Sequence, residues 1–268
     1  MTERDRAHES GMDDMAAAMA LADIARAATL RHFRSDEMSI ESKGAAFDPV
    51  TAADREAEAA MRAWLARHRS EDGVLGEEYG ATEGASGNTW VIDPIDGTRA
   101  FLSGAPTWGV LIALSGAAGP RLGVIDQPYI GERFVGGMGE ARLEGPQGRR
   151  ALRCRRPRPL GEAILFSTFP EIGTAAERTA FESLAARVRL TRFGMDCYAY
   201  ALLAAGQIDL VVEAGLHPYD IHAPIAVIEA AGGVVTDWTG APAHDGGRVL
   251  AAANREIHAA ALEWLATA

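Results

Sequence analysis

Two aspartates, Asp93 and Asp96, follow the apolar run 90–92 and are followed in turn by Gly97 and Thr98. A strand that ends in carboxylates is a rigid support for a metal ion, and hard oxygen ligands suit Mg²⁺. Gly97 lets the backbone approach a ligand closely, and the N–H groups of the next turn suit a phosphate group. The segment therefore predicts a magnesium-assisted phosphate site. A solvated Asp-Pro/Asp-Gly double turn is the alternative for such a pair taken alone.

Acidic residues elsewhere in the chain favour the site over the turn. Glu77 comes just after the apolar pair 74–75, Glu213 ends the predicted strand 208–213, and Asp220 lies at the start of the next helix. A helix cap is the simpler account of Asp220 by itself, and stabilisation of the helix dipole is the simpler account of Asp54. Several converging carboxylates stay ionised together only when divalent cations compensate their charge.

The first half of the chain predicts helices followed by a meandering, largely antiparallel sheet. An amphipathic helix is expected over 13–34, and a second helix is expected to open at Asp48-Pro49 and to run to His68. Glycine and proline then separate five short apolar runs, which are 73–75, 89–92, 107–114, 122–126 and 133–135.

The second half alternates strand and helix, which predicts an α/β layer. The predicted strands are 163–167, 189–192, 208–213 and 248–252, and the predicted helices are 174–187, 196–205, 219–231 and one from Asn254. The Arg-, Pro- and Gly-rich segment 145–159 is expected to be a solvated loop between two subdomains. We place the boundary between 1–150, with most metal ligands, and 151–268, with Asp220 and the specificity residues.

Composition narrows the possible partners. The formal net charge of −11 argues against a general nucleic-acid or anionic-membrane surface. Two cysteines are too few for a disulfide framework, and the N-terminal segment has no apolar core, so a cytoplasmic protein is expected. Lys43 is the one lysine among 26 basic residues, and it is either a chance surface residue or a compact charge with a purpose.

Four motifs occur in the order DPVTAADREAE, GEE, WVIDPIDGTRAF and HPYD with EAAGG. Together they resemble the inositol monophosphatase superfamily of metal-dependent phosphatases. The resemblance implies a layered α-β-α-β-α sandwich, two or three Mg²⁺ ions per site and a homodimer. The metal ligands it implies are Glu77, Asp93, the backbone carbonyl of Ile95, Asp96 and Asp220. Asp54 and Thr98, with Glu77, are implied to orient the attacking water, and Lys43 matches a basic residue ahead of the VTxxD motif.

The segments 106–109, 123–128, 131–133 and 192–200 resemble the histidinol-phosphate phosphatase branch of that superfamily. Membership of that branch would place the chain in histidine biosynthesis. Histidinol phosphate carries an ammonium and an imidazole, so Asp196 and Glu213 are expected to pair with its cationic end. Asp196 is equally well explained as the N-cap of the following helix. Arg192 is expected either to approach the substrate or to be an ordinary exposed residue. The other expected substrate contacts are Lys43, Asp96, Gly97, Thr98 and Asp220.

Two other functions stay open at this stage. One is a phosphatase for inositol 1-phosphate or another small polyol or nucleotide monophosphate. The other is a non-catalytic protein that uses the same fold to bind a partner, although the full set of expected metal ligands and the net charge argue against it.

Overall fold

The computed structural model describes residues 13–35, 40–42 and 49–266. The helices within these ranges are α1 (Asp14–His32), α2 (Ala52–His68), α3 (Thr98–Ser103), α4 (Ala175–Ala185), α5 (Asp196–Ala204), α6 (Pro218–Ala230) and α7 (Arg255–Leu265). The strands are β1 (Ile40–Ser42), β2 (Pro49–Thr51), β3 (Gly73–Gly76), β4 (Gly80–Thr82), β5 (Thr89–Asp96), β6 (Gly109–Gly116), β7 (Gly119–Gln127), β8 (Glu132–Gly137), β9 (Glu140–Gly145), β10 (Gly148–Ala151), β11 (Ile164–Ser167), β12 (Leu190–Phe193), β13 (Leu210–Leu216), β14 (Val234–Thr236) and β15 (Gly247–Ala252).

The strands form two large sheets and one small ribbon. The first sheet has the order β10-β9-β8-β7-β6-β5-β3-β4, and its one parallel pair among the described strands is β3 with β5. The second sheet has the order β12-β11-β13-β15-β14, in which β12, β11 and β13 are parallel. β1 and β2 form an antiparallel ribbon. The predicted change from an antiparallel to an α/β arrangement is therefore confirmed.

The layers follow from the two-residue period of the strands. On β6, Ile112 packs with α1 and α2, whereas its neighbour Leu111 packs with α5 and α6 on the opposite face. On β13, Val211 faces α5 and α6, whereas Val212 faces α4 and α7. The helix pair α5–α6 therefore lies between the sheets and an outer helix pair covers each of them. This is the layered α-β-α-β-α sandwich that the resemblance implies.

The start of the second helix was predicted wrongly. Pro49 and the two residues after it form β2, which pairs with β1, and α2 begins at Ala52. Proline suits the first residue of a strand as well as the first turn of a helix, and pairing with a distant strand decides between them. Asp48 lies outside the described residues.

The segment 145–159 is also more ordered than predicted. Gly148–Ala151 forms β10, which pairs with β9 at the end of the first sheet. All four residues of β10 are exposed, so the strand has no apolar alternation by which the sequence would reveal it. The first sheet ends at Ala151 and the second begins at Ile164, but α6 packs on strands of both, so the two-subdomain division stays a prediction.

Among the described helices, none combines the length and the apolar character that crossing a membrane requires.

Candidate active site

The end of β5 brings Asp93 and Asp96 to one place. Residues three apart in a regular strand point to opposite faces, but the pairing of β5 with β6 shifts register between these two aspartates. Oδ1 of Asp93 accepts a hydrogen bond of 2.9 Å from the backbone N–H of Ile95, which holds the turn. One carboxylate oxygen each of Asp93, Asp96 and Asp220 lies within 4.8 Å of the others. The predicted convergence of these three residues is therefore confirmed.

Glu77 joins the cluster because β3 runs parallel to β5 and ends beside it, with Gly76 paired to Ile92. Glu77 directly follows β3, and its carboxylate lies close enough to Asp93 for its charge to raise the pKa of Asp93. The carboxyl ends of two parallel strands thus supply carboxylates to one site, as the sequence predicted.

Glu58 on α2 is a positioning residue that the sequence analysis missed. Its carboxylate is fully buried and accepts hydrogen bonds from the backbone N–H groups of Glu78, at 2.7 Å, and Tyr79, at 3.2 Å. Arg62 donates to the same carboxylate at 2.7 Å. Glu58 therefore fixes the turn that carries Glu77. The available signal was its spacing of four residues from Asp54, which places both on one face of α2.

The carboxylates oppose one another's ionisation. Burial raises the pKa of Asp93 well above its ordinary value, and the charges of Glu77, Asp96 and Asp220 raise it further. Burial also raises the pKa of Asp96, and the charge of Asp220 raises it further. The pKa of Asp220 is itself raised to about 7 by burial. A divalent cation relieves this repulsion, and the donors present are hard oxygens, so the residues fit a Mg²⁺ site.

The turn from β5 into α3 needs glycine at position 97. Gly97 has φ +86°, in the left-handed region, and a Cβ atom there would lie 2.8 Å from the Cβ of Asp196. Thr98 follows as the first residue of α3, and its hydroxyl donates a 3.2 Å hydrogen bond to the carbonyl of Ile95. The turn thus brings the end of β5 and the start of α5 into contact.

A cavity of about 300 Å³ opens beside the carboxylate cluster. Its walls include six residues that the sequence analysis expected at a substrate site: Asp96, Gly97, Thr98, Asp196, Glu213 and Asp220. They also include residues that the sequence analysis did not single out, namely Arg99, Thr168, Phe169, Cys197, Tyr200, Ala214, Gly215 and Leu216. Arg99 lies over the ring of Phe169, with 4.9 Å between its guanidinium carbon and the ring centroid.

Asp196 lines the cavity and does not cap α5. It is the first residue of the helix, has φ +46°, and follows Met195 at the N-cap position. Its Oδ2 accepts a 3.1 Å hydrogen bond from the hydroxyl of Thr107. Burial raises the pKa of Asp196, whereas Thr107 and the charge of Arg99 oppose the rise. The N-cap interpretation was wrong because the chain turns through a left-handed residue at this point and directs the carboxylate toward Thr107.

Glu213 lies on the opposite sheet, in β13, and is only 6% exposed. Its Oε1 accepts hydrogen bonds from the backbone N–H of Thr168 at 2.7 Å and from the hydroxyl of the same residue at 2.9 Å. Burial raises the pKa of Glu213 to about 8. The charge of Asp196 adds to this rise, whereas the hydrogen bonds from Thr168 oppose it. Two carboxyl groups from different layers therefore influence each other across the cavity.

Asp220 both caps a helix and lies in the carboxylate cluster. Its Oδ2 accepts a 2.7 Å hydrogen bond from the backbone N–H of His217 at the start of α6, so it caps the helix. It also belongs to the carboxylate cluster.

Three further predicted site residues are not among the described cavity walls. Asp54 is 1% exposed on the first turn of α2, and its pairing with Thr98 stays a prediction. Arg192 is exposed on the edge strand β12, and the described cavity walls do not include it, so its contact with substrate also stays a prediction. Lys43 lies outside the described residues.

The layered fold and its carboxylate-lined cavity define a class of phosphatase. The chain belongs to the inositol monophosphatase family, which matches residues 12–268, and it is a phosphatase of that family. Among curated relatives, the bifunctional phosphatase IMPL2, chloroplastic, of Arabidopsis thaliana is 38% identical over 258 residues, which are 92% of this chain and 73% of that protein. A histidinol-phosphatase of Mycobacterium tuberculosis is 35% identical over 242 residues, which are 89% of this chain and 93% of that protein.

A solved structure of an inositol monophosphatase from Zymomonas mobilis superposes with a TM-score of 0.84 and 38% identity. The match covers 95% of this chain and 98% of that one. These three relatives are all named as phosphatases, and two of the names give different substrates.

Proposed function

We propose that this chain is a Mg²⁺-dependent histidinol-phosphate phosphatase, which converts L-histidinol phosphate and water to L-histidinol and phosphate. The observation that carries the proposal is the distribution of charge in the cavity. The cavity is lined by Asp96 and Asp220 of a carboxylate cluster suited to metal ions, and two further carboxyl groups, Asp196 and Glu213, also line it. This arrangement suits a ligand that is anionic at one end and cationic at the other.

The phosphate end would be held through the cluster. Glu77, Asp93, Asp96, Asp220 and the carbonyl of Ile95 would hold two or three Mg²⁺ ions, because the donor set consists of oxygens whose charges now oppose one another. When bound, Mg²⁺ supplies positive charge that lowers the pKa of water and stabilises the leaving oxygen.

The attacking water would be oriented by Thr98 together with Asp54 and Glu77. The hydroxyl hydrogen of Thr98 is directed to the carbonyl of Ile95, so Oγ1 keeps its lone pairs for accepting a hydrogen bond from water. A carboxylate can accept the second hydrogen of that water, which leaves an oxygen lone pair to attack phosphorus in line.

The organic end would be recognised by charge. Asp196 and Glu213 would pair with the ammonium and imidazole groups of histidinol, and each carboxyl group is already fixed by a hydrogen bond, to Thr107 and to Thr168 respectively. Binding of a cation would also relieve the mutual repulsion that helps to keep the pKa of Glu213 high. The similarity to the histidinol-phosphatase of Mycobacterium tuberculosis supports the same substrate.

Inositol 1-phosphate is the second candidate substrate. Other small polyol or nucleotide monophosphates belong to the same alternative. The observation in its favour is the 38% identity to the inositol monophosphatase of Zymomonas mobilis. A polyol needs neutral hydrogen-bonding partners more than a carboxylate-rich wall, so the charge of the cavity favours histidinol phosphate.

A non-catalytic binding role is the alternative of a different class. Absence of any Mg²⁺-dependent turnover would favour it.

Phosphate release from L-histidinol phosphate and from inositol 1-phosphate, measured side by side with and without Mg²⁺, tests the proposal. We expect a preference for histidinol phosphate of at least about tenfold in kcat/KM, which corresponds to about 1.4 kcal/mol. Chelation of the metal and the variant Asp93→Asn should both abolish turnover. Asp196→Asn should reduce kcat/KM for histidinol phosphate more than for inositol 1-phosphate. Equal or better turnover of inositol 1-phosphate would overturn the substrate assignment and keep the metal site.

We also infer a homodimer from the family resemblance, and light scattering of the purified protein tests it. The cytoplasmic location expected from the composition stays a prediction.

A further inference from the structure

Tyr200 presents a hydroxyl group that the proposed mechanism does not use. It lies on α5 and is 3% exposed, and its side chain packs in the core between the sheets while also lining the cavity. Its Oη atom is buried and has no hydrogen-bond partner among the described residues. Buried hydroxyl groups are nearly always paired, because leaving one unpaired costs free energy. This hydroxyl therefore needs an explanation.

A second tyrosine on the same helix behaves differently. The hydroxyl of Tyr198 donates a 2.6 Å hydrogen bond to Glu132, and Tyr198 is not among the described cavity-lining residues. Residues two apart on a helix point about 200° apart, so the two hydroxyl groups leave α5 in opposite directions. Tyr198, which is not among the described cavity-lining residues, is paired within the protein, whereas Tyr200, whose side chain lines the cavity, has a buried hydroxyl without a partner in the described part of the chain.

The groups around Tyr200 define what it can bind. The charges of Glu213, Asp96 and Asp220 add to burial in raising the pKa of Tyr200 well above its ordinary value, so the phenol stays neutral. A neutral phenol donates one hydrogen bond and accepts another. Tyr200 therefore lies within the electrostatic influence of both the metal-binding cluster and the carboxylate expected to hold the organic end of the substrate, and it offers a hydrogen bond without a charge.

We propose that Tyr200 is a specificity-determining residue whose hydroxyl group hydrogen-bonds an amino or hydroxyl group on the alcohol part of the phosphate ester. The proposal rests on the phosphatase function proposed above and adds a contact to it. The phosphate end already has Gly97, Thr98 and the cation site, whereas the alcohol part of the substrate must occupy the rest of the cavity. Pairing with that part satisfies a hydroxyl that the folded protein leaves unpaired.

The variant Tyr200→Phe tests the proposal because it removes the hydroxyl alone. Activity is measured on L-histidinol phosphate, inositol 1-phosphate and phenyl phosphate, whose alcohol part carries no amino or further hydroxyl group. For whichever of the first two esters the wild-type enzyme prefers, we expect kcat/KM to fall by about 5- to 50-fold. For phenyl phosphate we expect a change of less than about twofold.

Stability supplies the second measurement. If the hydroxyl has no partner in the folded protein, Tyr200→Phe should melt at the same temperature as the wild type or higher. Tyr198→Phe is the matched control, because it loses a hydrogen bond on the same helix. It should melt at a lower temperature and keep the wild-type ratio of activities on the three esters.

The outcomes separate this proposal from the substrate assignment. The role of Tyr200 would be overturned if Tyr200→Phe lowered kcat/KM equally on all three esters or on none of them. It would also be overturned if the Tyr200→Phe protein failed to fold. A wild-type preference for inositol 1-phosphate would overturn the histidinol-phosphate assignment and leave the Tyr200 comparison to be made on inositol 1-phosphate. A wild-type protein that hydrolyses none of the three esters would contradict both.

Discussion

The backbone N–H of Cys197 donates a 2.5 Å hydrogen bond to Oδ2 of Asp96. This bond joins the first turn of α5 to the last residue of β5, and so it joins the layer between the sheets to the end of the first sheet. One carboxylate of the proposed metal site is oriented by the helix that also carries Asp196 and Tyr200. The position of the metal site and the shape of the substrate cavity are therefore coupled.

Gly97 should tolerate no side chain, because of this close approach. In Gly97→Ala the left-handed conformation costs about 1–2 kcal/mol, and overlap with Asp196 adds to that cost. We expect a lower free energy of unfolding in urea. We also expect kcat/KM to fall by at least about tenfold, since Asp196, which lines the cavity, must move.

Gly139→Ala is the matched control for that variant. Gly139 has φ +82°, and nothing lies within 4 Å of the position its Cβ would take. Gly139→Ala should lose stability only through the cost of the left-handed conformation, and it should keep the wild-type activity. Equal behaviour of the two variants would show that contact with Asp196 is unimportant.

Glu58 should affect metal binding although it is not itself an expected ligand. Glu58→Ala removes the acceptor for two backbone N–H groups of the turn after Glu77 and leaves Arg62 without this partner. We expect the apparent Kd for Mg²⁺ to rise by about 10–100-fold, as is typical when a group that orients a ligand is lost. Titration calorimetry measures the change.

Glu56→Ala provides the comparison on the same helix. Glu56 is exposed and pairs with Arg31 and His32. Its loss should change stability by less than about 1 kcal/mol and leave metal affinity as it is. If Glu58→Ala binds Mg²⁺ as the wild type does, the turn after β3 does not need this carboxylate.

Glu213 should make the metal-free protein less stable as the pH rises. Burial raises its folded-state pKa to about 8 from an ordinary value of 4.5, so the folded protein holds this proton more tightly than the unfolded chain. The stabilising contribution is complete below the ordinary pKa and is lost as the pH rises through about 8. Between these values, the free energy of unfolding of the wild type relative to Glu213→Gln should fall by about 1.4 kcal/mol per pH unit.

Urea unfolding in the presence of a chelator, repeated across that pH range, gives the difference directly. A constant difference between the two proteins would mean that Glu213 titrates at an ordinary pKa in the folded state.

Mg²⁺ and protons should compete for the carboxylate cluster. Because burial and mutual repulsion raise the pKa values of Asp93, Asp96 and Asp220, metal binding should release protons. We expect the affinity for Mg²⁺ to be weaker at about pH 6 than at about pH 8. Addition of Mg²⁺ should raise the melting temperature of the metal-free protein, and Asp93→Asn should largely remove that rise.

Calorimetry in two buffers of different ionisation enthalpy counts the protons released. Binding without proton release would show that the cluster is already ionised before the metal arrives.

The candidate metal site could be predicted from the sequence, because local patterns and the family resemblance point to the same acidic residues. An apolar strand that ends in Asp93 and Asp96 fixes their position, and Glu77 follows a second strand that ends beside it. The sequence also predicted the change from an antiparallel to an α/β half, since hydrophobic periodicity differs between the two. Strands without apolar alternation, such as the exposed β10, escaped notice because only pairing with β9 creates them.

The features that depend on distant contacts became evident only in the folded structure. Helix α2 begins at Ala52 because β2 pairs with β1, Asp196 turns toward Thr107 instead of capping its helix, and Glu58 holds a turn 20 residues away from it. The hydroxyl of Tyr200 has no partner among the described residues, and the side chain lines a cavity to which several elements contribute. Local patterns specify which residues can perform the chemistry. The packing of the layers decides which polar groups are satisfied within the protein and which are left for the substrate, since each such contact joins residues far apart in the chain.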